Sequence, residues 1–97
     1  MTLVRTRPMH GGTQWVHRFG NGYGASVIDS GYGADRGLYE VGTLWWVDGG
    51  SCLGRLEWPL DGVEWECQPD ECIGYLTALE VVVVLAAIAA LPAPEPA

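Results

Sequence analysis

Lysine is absent from this 97-residue chain, so its five positive charges are all arginines. Without lysine there is no amine for Schiff-base chemistry, and a phosphate-binding loop ending in Gly-Lys-Ser/Thr cannot be written. Bases of any kind are missing from residues 56–97. That stretch holds Glu57, Asp61, Glu64, Glu66, Asp70, Glu71, Glu80 and Glu95, a net of −8. The first 55 residues set Arg5, Arg7, Arg18, Arg36 and Arg55 against Asp29, Asp35, Glu40 and Asp48, a net of +1, and together the halves give the formal −7. Nucleic-acid affinity comes largely from cations that displace counterions along the phosphate backbone, so this polarity argues against direct DNA or RNA binding. The same field suits a protein partner with a basic surface.

Long apolar runs are also lacking. Residues 81–91, the longest uncharged apolar stretch, cover about 16 Å as a helix, roughly half of a hydrocarbon core, so no membrane span is expected. Residues 1–11 carry two arginines with no apolar run behind them and read as a flexible arm rather than a secretory leader. The three cysteines, Cys52, Cys67 and Cys72, are an odd number, which favours reduced thiols in a cytosol.

Glycine is what the sequence has in abundance, and thirteen of the fourteen lie between Gly11 and Gly62. This divides a turn-rich part from a helical part. Strands are expected at 13–19, 23–29, 38–47 and 51–58, with Asn21-Gly22 supplying a tight hairpin and Asp48-Gly49-Gly50 a second turn. Pro59 ends the last strand. Residues 60–71 are acidic and irregular. Thr77-Ala78-Leu79-Glu80 is a capping box that opens a helix over 78–91, and Pro92 stops it. The expectation is one α+β domain at 12–91, a twisted four-stranded antiparallel β-meander with one C-terminal helix packed on one face. A Pro-rich tail follows at 92–97.

The helix is apolar on two sides. Val81, Val84, Leu85, Ile88 and Leu91 form the stripe for the sheet, whereas Val82, Val83, Ala86, Ala89 and Ala90 lie opposite them in place of charges. The second side suggests self-association, a dimer first, while the plainer reading is that alanines tolerate exposure and only the two valines need cover. Trp45 and Trp46 must point to opposite faces of their strand. Trp45 goes with Tyr39, Val41 and Val47. Trp46, with Trp65 and the acidic Glu57, Glu64, Glu66, Asp70 and Glu71, is a candidate partner-binding set, although Trp46 packed beneath residues 60–71 is the competing reading.

Catalytic constellations are thin. Cys67 and Cys72 have zinc-like spacing, and His10, His17 or Cys52 could complete a tetrahedron, yet no second pair exists and no metal or other cofactor is expected. Acidic neighbours would raise the thiol pKa of Cys67 or Cys72, the wrong direction for a nucleophile. The pairs Glu64/Glu66 and Asp70/Glu71 read as a solvated acidic face. Ser26, His17 and Asp29 lack a nucleophile elbow. The glycine clusters at 20–24 and 31–33 open no helix and so cannot present a helix N-terminus to a pyrophosphate. No enzymatic activity is expected.

His17-Arg18-Phe19-Gly20-Asn21-Gly22-Tyr23-Gly24-Ala25-Ser26-Val27-Ile28 resembles a stretch found in small proteins of actinobacterial phages. The likeness continues through Gly37-Leu38-Tyr39-Glu40-Val41, Ile73-Gly74-Tyr75-Leu76-Thr77 and Ile88-Ala89-Ala90-Leu91. That group is largely uncharacterised and transfers no catalytic residue. The resemblance implies a viral protein acting in a bacterial host's cytoplasm, and this chain departs from it at 67–72 and in the uncharged outer side of its helix. The function expected is binding of a host protein, such as a defence nuclease, to inhibit or redirect it. The alternatives are a nucleotide-sequestering protein with Arg18, Arg36 and Arg55 at an oligomer interface, and a minor virion or assembly component.

Overall fold

The computed structural model describes residues 2–47, 50–53 and 72–93. They build one antiparallel sheet and one helix, the α+β class expected. The strands are β1 (Thr2–Met9), β2 (Gly12–Arg18), β3 (Tyr23–Ile28), β4 (Tyr39–Val47), β5 (Gly50–Leu53) and β6 (Cys72–Leu76), followed by helix α1 (Ala78–Ala89). A single 3-10 turn, Ala34–Arg36, interrupts the loop before β4.

Four strands were expected, and the sheet is five rows wide. The first four rows are β1 to β4 in sequence order. The fifth row is shared, because β5 pairs with the second half of β4, from Leu44↔Leu53 to Val47↔Gly50, while β6 pairs with its first half, from Tyr39↔Leu76 to Gly42↔Cys72. Strands β2 to β5 stand where strands were expected, although the last is described only to Leu53. Neither β1 nor β6 was foreseen.

The arm expected at 1–11 is instead a strand over Thr2–Met9, paired with β2 from Thr2↔Arg18 to Met9↔Gly12 with a bulge between Leu3 and Arg5. His10 and Gly11 make the turn between them with φ of 50° and 82°. Two successive positive φ angles match the right-handed twist of a hairpin. Pro8 is compatible with β1 because an edge strand needs no donor on its outer side.

The second hairpin corrects the reading of Asn21-Gly22. Phe19 N donates to Tyr23 O at 2.9 Å, Gly22 N donates to Phe19 O at 3.4 Å, and only Gly22 of the three loop residues has positive φ, 89°. This is a three-residue loop, a type I turn closed by a glycine bulge. Asn21 serves elsewhere: its Nδ2 donates to the carbonyl oxygens of Ile88 at 2.9 Å, Ala89 at 3.3 Å and Leu91 at 2.9 Å, and its Oδ1 accepts from Tyr23 N. A helix end leaves carbonyls without intrahelical partners, and the hairpin tip supplies them.

At its other end α1 is capped as the sequence predicts. Thr77 Oγ1 accepts from Glu80 N at 3.2 Å and Glu80 Oε1 accepts from Thr77 N at 2.9 Å. The helix packs across β3, β4 and β6, burying Val81, Val84, Leu85 and Ile88 against Ala25, Val27, Val41, Ile73 and Leu76, with Leu91 half-buried beside them. Trp45 and Tyr39 lean on this core from β4, on the side the alternation assigns them.

Candidate functional site

Among the described residues three surfaces stand out. The first is the outer side of α1. Leu79 is 75% exposed, Val82 55% and Val83 50%, and Ala86 and Ala90 are exposed with them. Ala89 departs from the expected self-association set, since the turn of the helix brings it partly onto the core. Next to this side lies an open hollow of about 220 Å3 between α1 and β2, lined by Trp15, His17, Val27, Tyr39, Ala78 and Val81. Trp15 and Tyr39 meet edge to face there, with ring centroids 6.2 Å apart. Partial burial pushes the His17 pKa below its ordinary value, because imidazolium would lose hydration. His17 is therefore a neutral wall of an aromatic hollow at physiological pH.

The second surface lies on the loop side of β6. Tyr32 and Tyr75 are both exposed, and Tyr75 N donates to Tyr32 O at 3.1 Å. The ladder between β4 and β6 shifts between Tyr39 and Val41, and Tyr75 in that bulge takes φ 59°. A left-handed conformation costs a tyrosine about 1–2 kcal/mol. The Arg36 guanidinium sits over the Tyr75 ring, 5.8 Å from its centroid. Nothing in the sequence marked this pair beyond Gly74, which breaks the strand pattern.

The third surface is the face of the sheet turned away from α1, where the even-numbered positions of β4 stand. Trp46 is here, half-buried, with the Arg18 guanidinium 4.8 Å above its ring centroid. A Cβ at Gly24 would come within 2.7 Å of Trp46 Nε1, so glycine is what lets the indole lie down on β3. Among the described residues that Nε1 has no acceptor although it is buried.

Arg18 and Arg36, candidates for meeting a nucleotide at an oligomer interface, thus each cover an aromatic ring of their own chain. Arg55, the third, lies outside the described residues. So do Glu57, Glu64, Trp65, Glu66, Asp70 and Glu71 of the partner-binding set, and Cys67 of the zinc idea. Among the described residues no three His, Cys, Asp or Glu side chains gather as metal ligands, and no helix is long and apolar enough to cross a membrane. His10 is exposed at the β1–β2 turn, whereas His17 is on β2. No known family model, curated protein or solved structure matches this chain.

Proposed function

We propose that this chain is a small acidic phage accessory protein that binds a host protein and inhibits or redirects it, without catalysis of its own. The observation that carries the self-association in this reading is the outer side of α1, where three large aliphatic side chains stand half or more exposed on a twelve-residue helix. An apolar patch left in water on so small a domain is characteristic of a contact surface. The reading assigns that side to a second copy of the chain, with a dimer favoured. It assigns Trp46, Trp65 and the carboxylates of 57–71 to a host protein with a basic surface, a defence nuclease being one target class. The charge division supports the second assignment, and the resemblance to phage proteins supports the host cytoplasm as the place of action.

Two variants test the assignments in one experiment. Wild type is expected to sediment as a dimer and to capture a host protein from lysate. Val82→Asp/Val83→Asp is expected to sediment as a monomer with an unchanged circular dichroism spectrum. Asp70→Lys/Glu71→Lys is expected to remain dimeric and lose the captured protein. Equal capture by the charge-reversed variant would remove the acidic stretch from the contact, and a monomeric wild type would remove the helix from self-association.

A further inference from the structure

The face of the sheet away from α1 contains a hollow of about 330 Å3 whose origin is one cross-strand row. Arg5, Val16, Ser26, Gly42 and Cys72 stand opposite one another from β1 to β6. Ser26, Gly42 and Cys72 are small. The row on one side carries Arg7, Gln14, Ile28 and Glu40, and Leu44 stands on the other, so larger groups wall in a shallow middle. The floor is apolar, with Val16 and Leu44 both buried. Its volume falls at the lower end of small-molecule sites, roughly 300–1,000 Å3.

Hydrogen bonds cross this hollow in one direction. Arg7 Nε donates to Gln14 Oε1 at 2.6 Å, and Gln14 Nε2 donates to Ser26 Oγ at 2.7 Å. Gln14 is only 8% exposed, so its amide is fixed at both ends. A hydroxyl that accepts one bond still has a proton to give, and a guanidinium bound through Nε keeps its terminal N–H groups. Among the described residues the chain of bonds therefore ends in donors with no further acceptor. Arg5 adds more, two residues along the same face of β1 and about 7 Å away. Neither arginine forms an ion pair among the described residues. Among the described residues one carboxylate stands against these donors, Glu40, whose Oε2 already accepts from Tyr32 N at 2.7 Å.

Guanidinium and hydroxyl donors together recognise an oxyanion. The buried floor recognises an aliphatic or aromatic body, and Glu40 in the same wall repels a second anionic group, which disfavours polyphosphates. We propose that this face binds a compact organic anion, with one carboxylate or phosphate head on Arg5, Arg7 and Ser26 and an apolar body over Val16 and Leu44. The site lies within one protomer and does not depend on the protein-binding role assigned above.

Calorimetry and ligand-observed NMR on the full chain test it with phenylacetate, phenyl phosphate and neutral phenylacetamide. Saturable binding of at least one anion is expected, with the amide at least tenfold weaker, and the two anions tell which head is preferred. Arg5→Gln/Arg7→Gln is expected to weaken the anion at least tenfold. Arg5→Gln alone preserves the Arg7–Gln14–Ser26 bonds, and is expected to weaken it at least threefold with an unchanged circular dichroism spectrum. Absence of saturable binding of both anions, an amide bound as tightly as they are, or wild-type affinity in Arg5→Gln would each overturn the proposal.

Discussion

Asn21 holds together two parts of the chain that are 67 residues apart in sequence. Its amide serves three carbonyls at and just past the end of α1, so truncation leaves those of Ala89 and Leu91 to find water or go unpaired, while Ile88 O keeps its bond from Leu91 N. Asn21→Ala is expected to lower stability by about 1–3 kcal/mol in urea unfolding. Asn21→Asp should be worse than alanine near neutral pH, since it sets an anion against the negative end of the helix dipole. A stability of Asn21→Asp equal to wild type would contradict this role. His17 gives a second residue-scale expectation. Its folded pKa lies below 6.5, so the unfolded chain binds more protons between the two values, and stability rises with pH across that window. It is lost as pH falls below the ordinary value. The melting temperature should therefore drop more in wild type than in His17→Gln between about pH 7.5 and about pH 5.5. Equal drops would remove His17 as the cause.

Elements were legible in the sequence where local chemistry decided them. The capping box announced α1 from Thr77 and Glu80, and its stripe of Val81, Val84, Leu85 and Ile88 followed from helical spacing. The alternation in β4 placed Trp45 toward the helix and Trp46 away from it. Where long-range contacts decide, the reading failed. Strand β1 carries Arg5, Arg7 and Pro8, a poor strand by propensity, and gains its order from pairing with β2. Strand β6 is short and interrupted by Gly74 and the bulged Tyr75, so nothing periodic marks it. The helix ends two residues before the expected position because a side chain from the hairpin at Asn21 caps it there, and Pro92 comes too late to set the boundary. The same limit applies to the hollow opposite α1. Its cross-strand row is assembled from five strands, and no window of sequence contains it.

At the scale of the whole molecule, the uneven charge and the uneven architecture coincide. The sheet is built mainly from the nearly neutral first half, and residues 57–71 supply six of the eight carboxylates of the second. Their points of attachment are set by the shared fifth row. Leu53 stands opposite Leu44 and Cys72 opposite Gly42, two positions apart along β4, which sets the two residues about 7 Å apart along that strand. Closing a loop between two such points depends only weakly on how many residues it contains. A short Gly/Ser linker in place of residues 54–71 is long enough to join Leu53 to Cys72. That replacement is expected to preserve cooperative unfolding and the circular dichroism of the fold while abolishing capture of a host protein, and a chain that no longer unfolds cooperatively would refute it. Folding and recognition would then be separable properties, and the acidic stretch could diverge in length and sequence under selection by a changing target while the frame stayed the same.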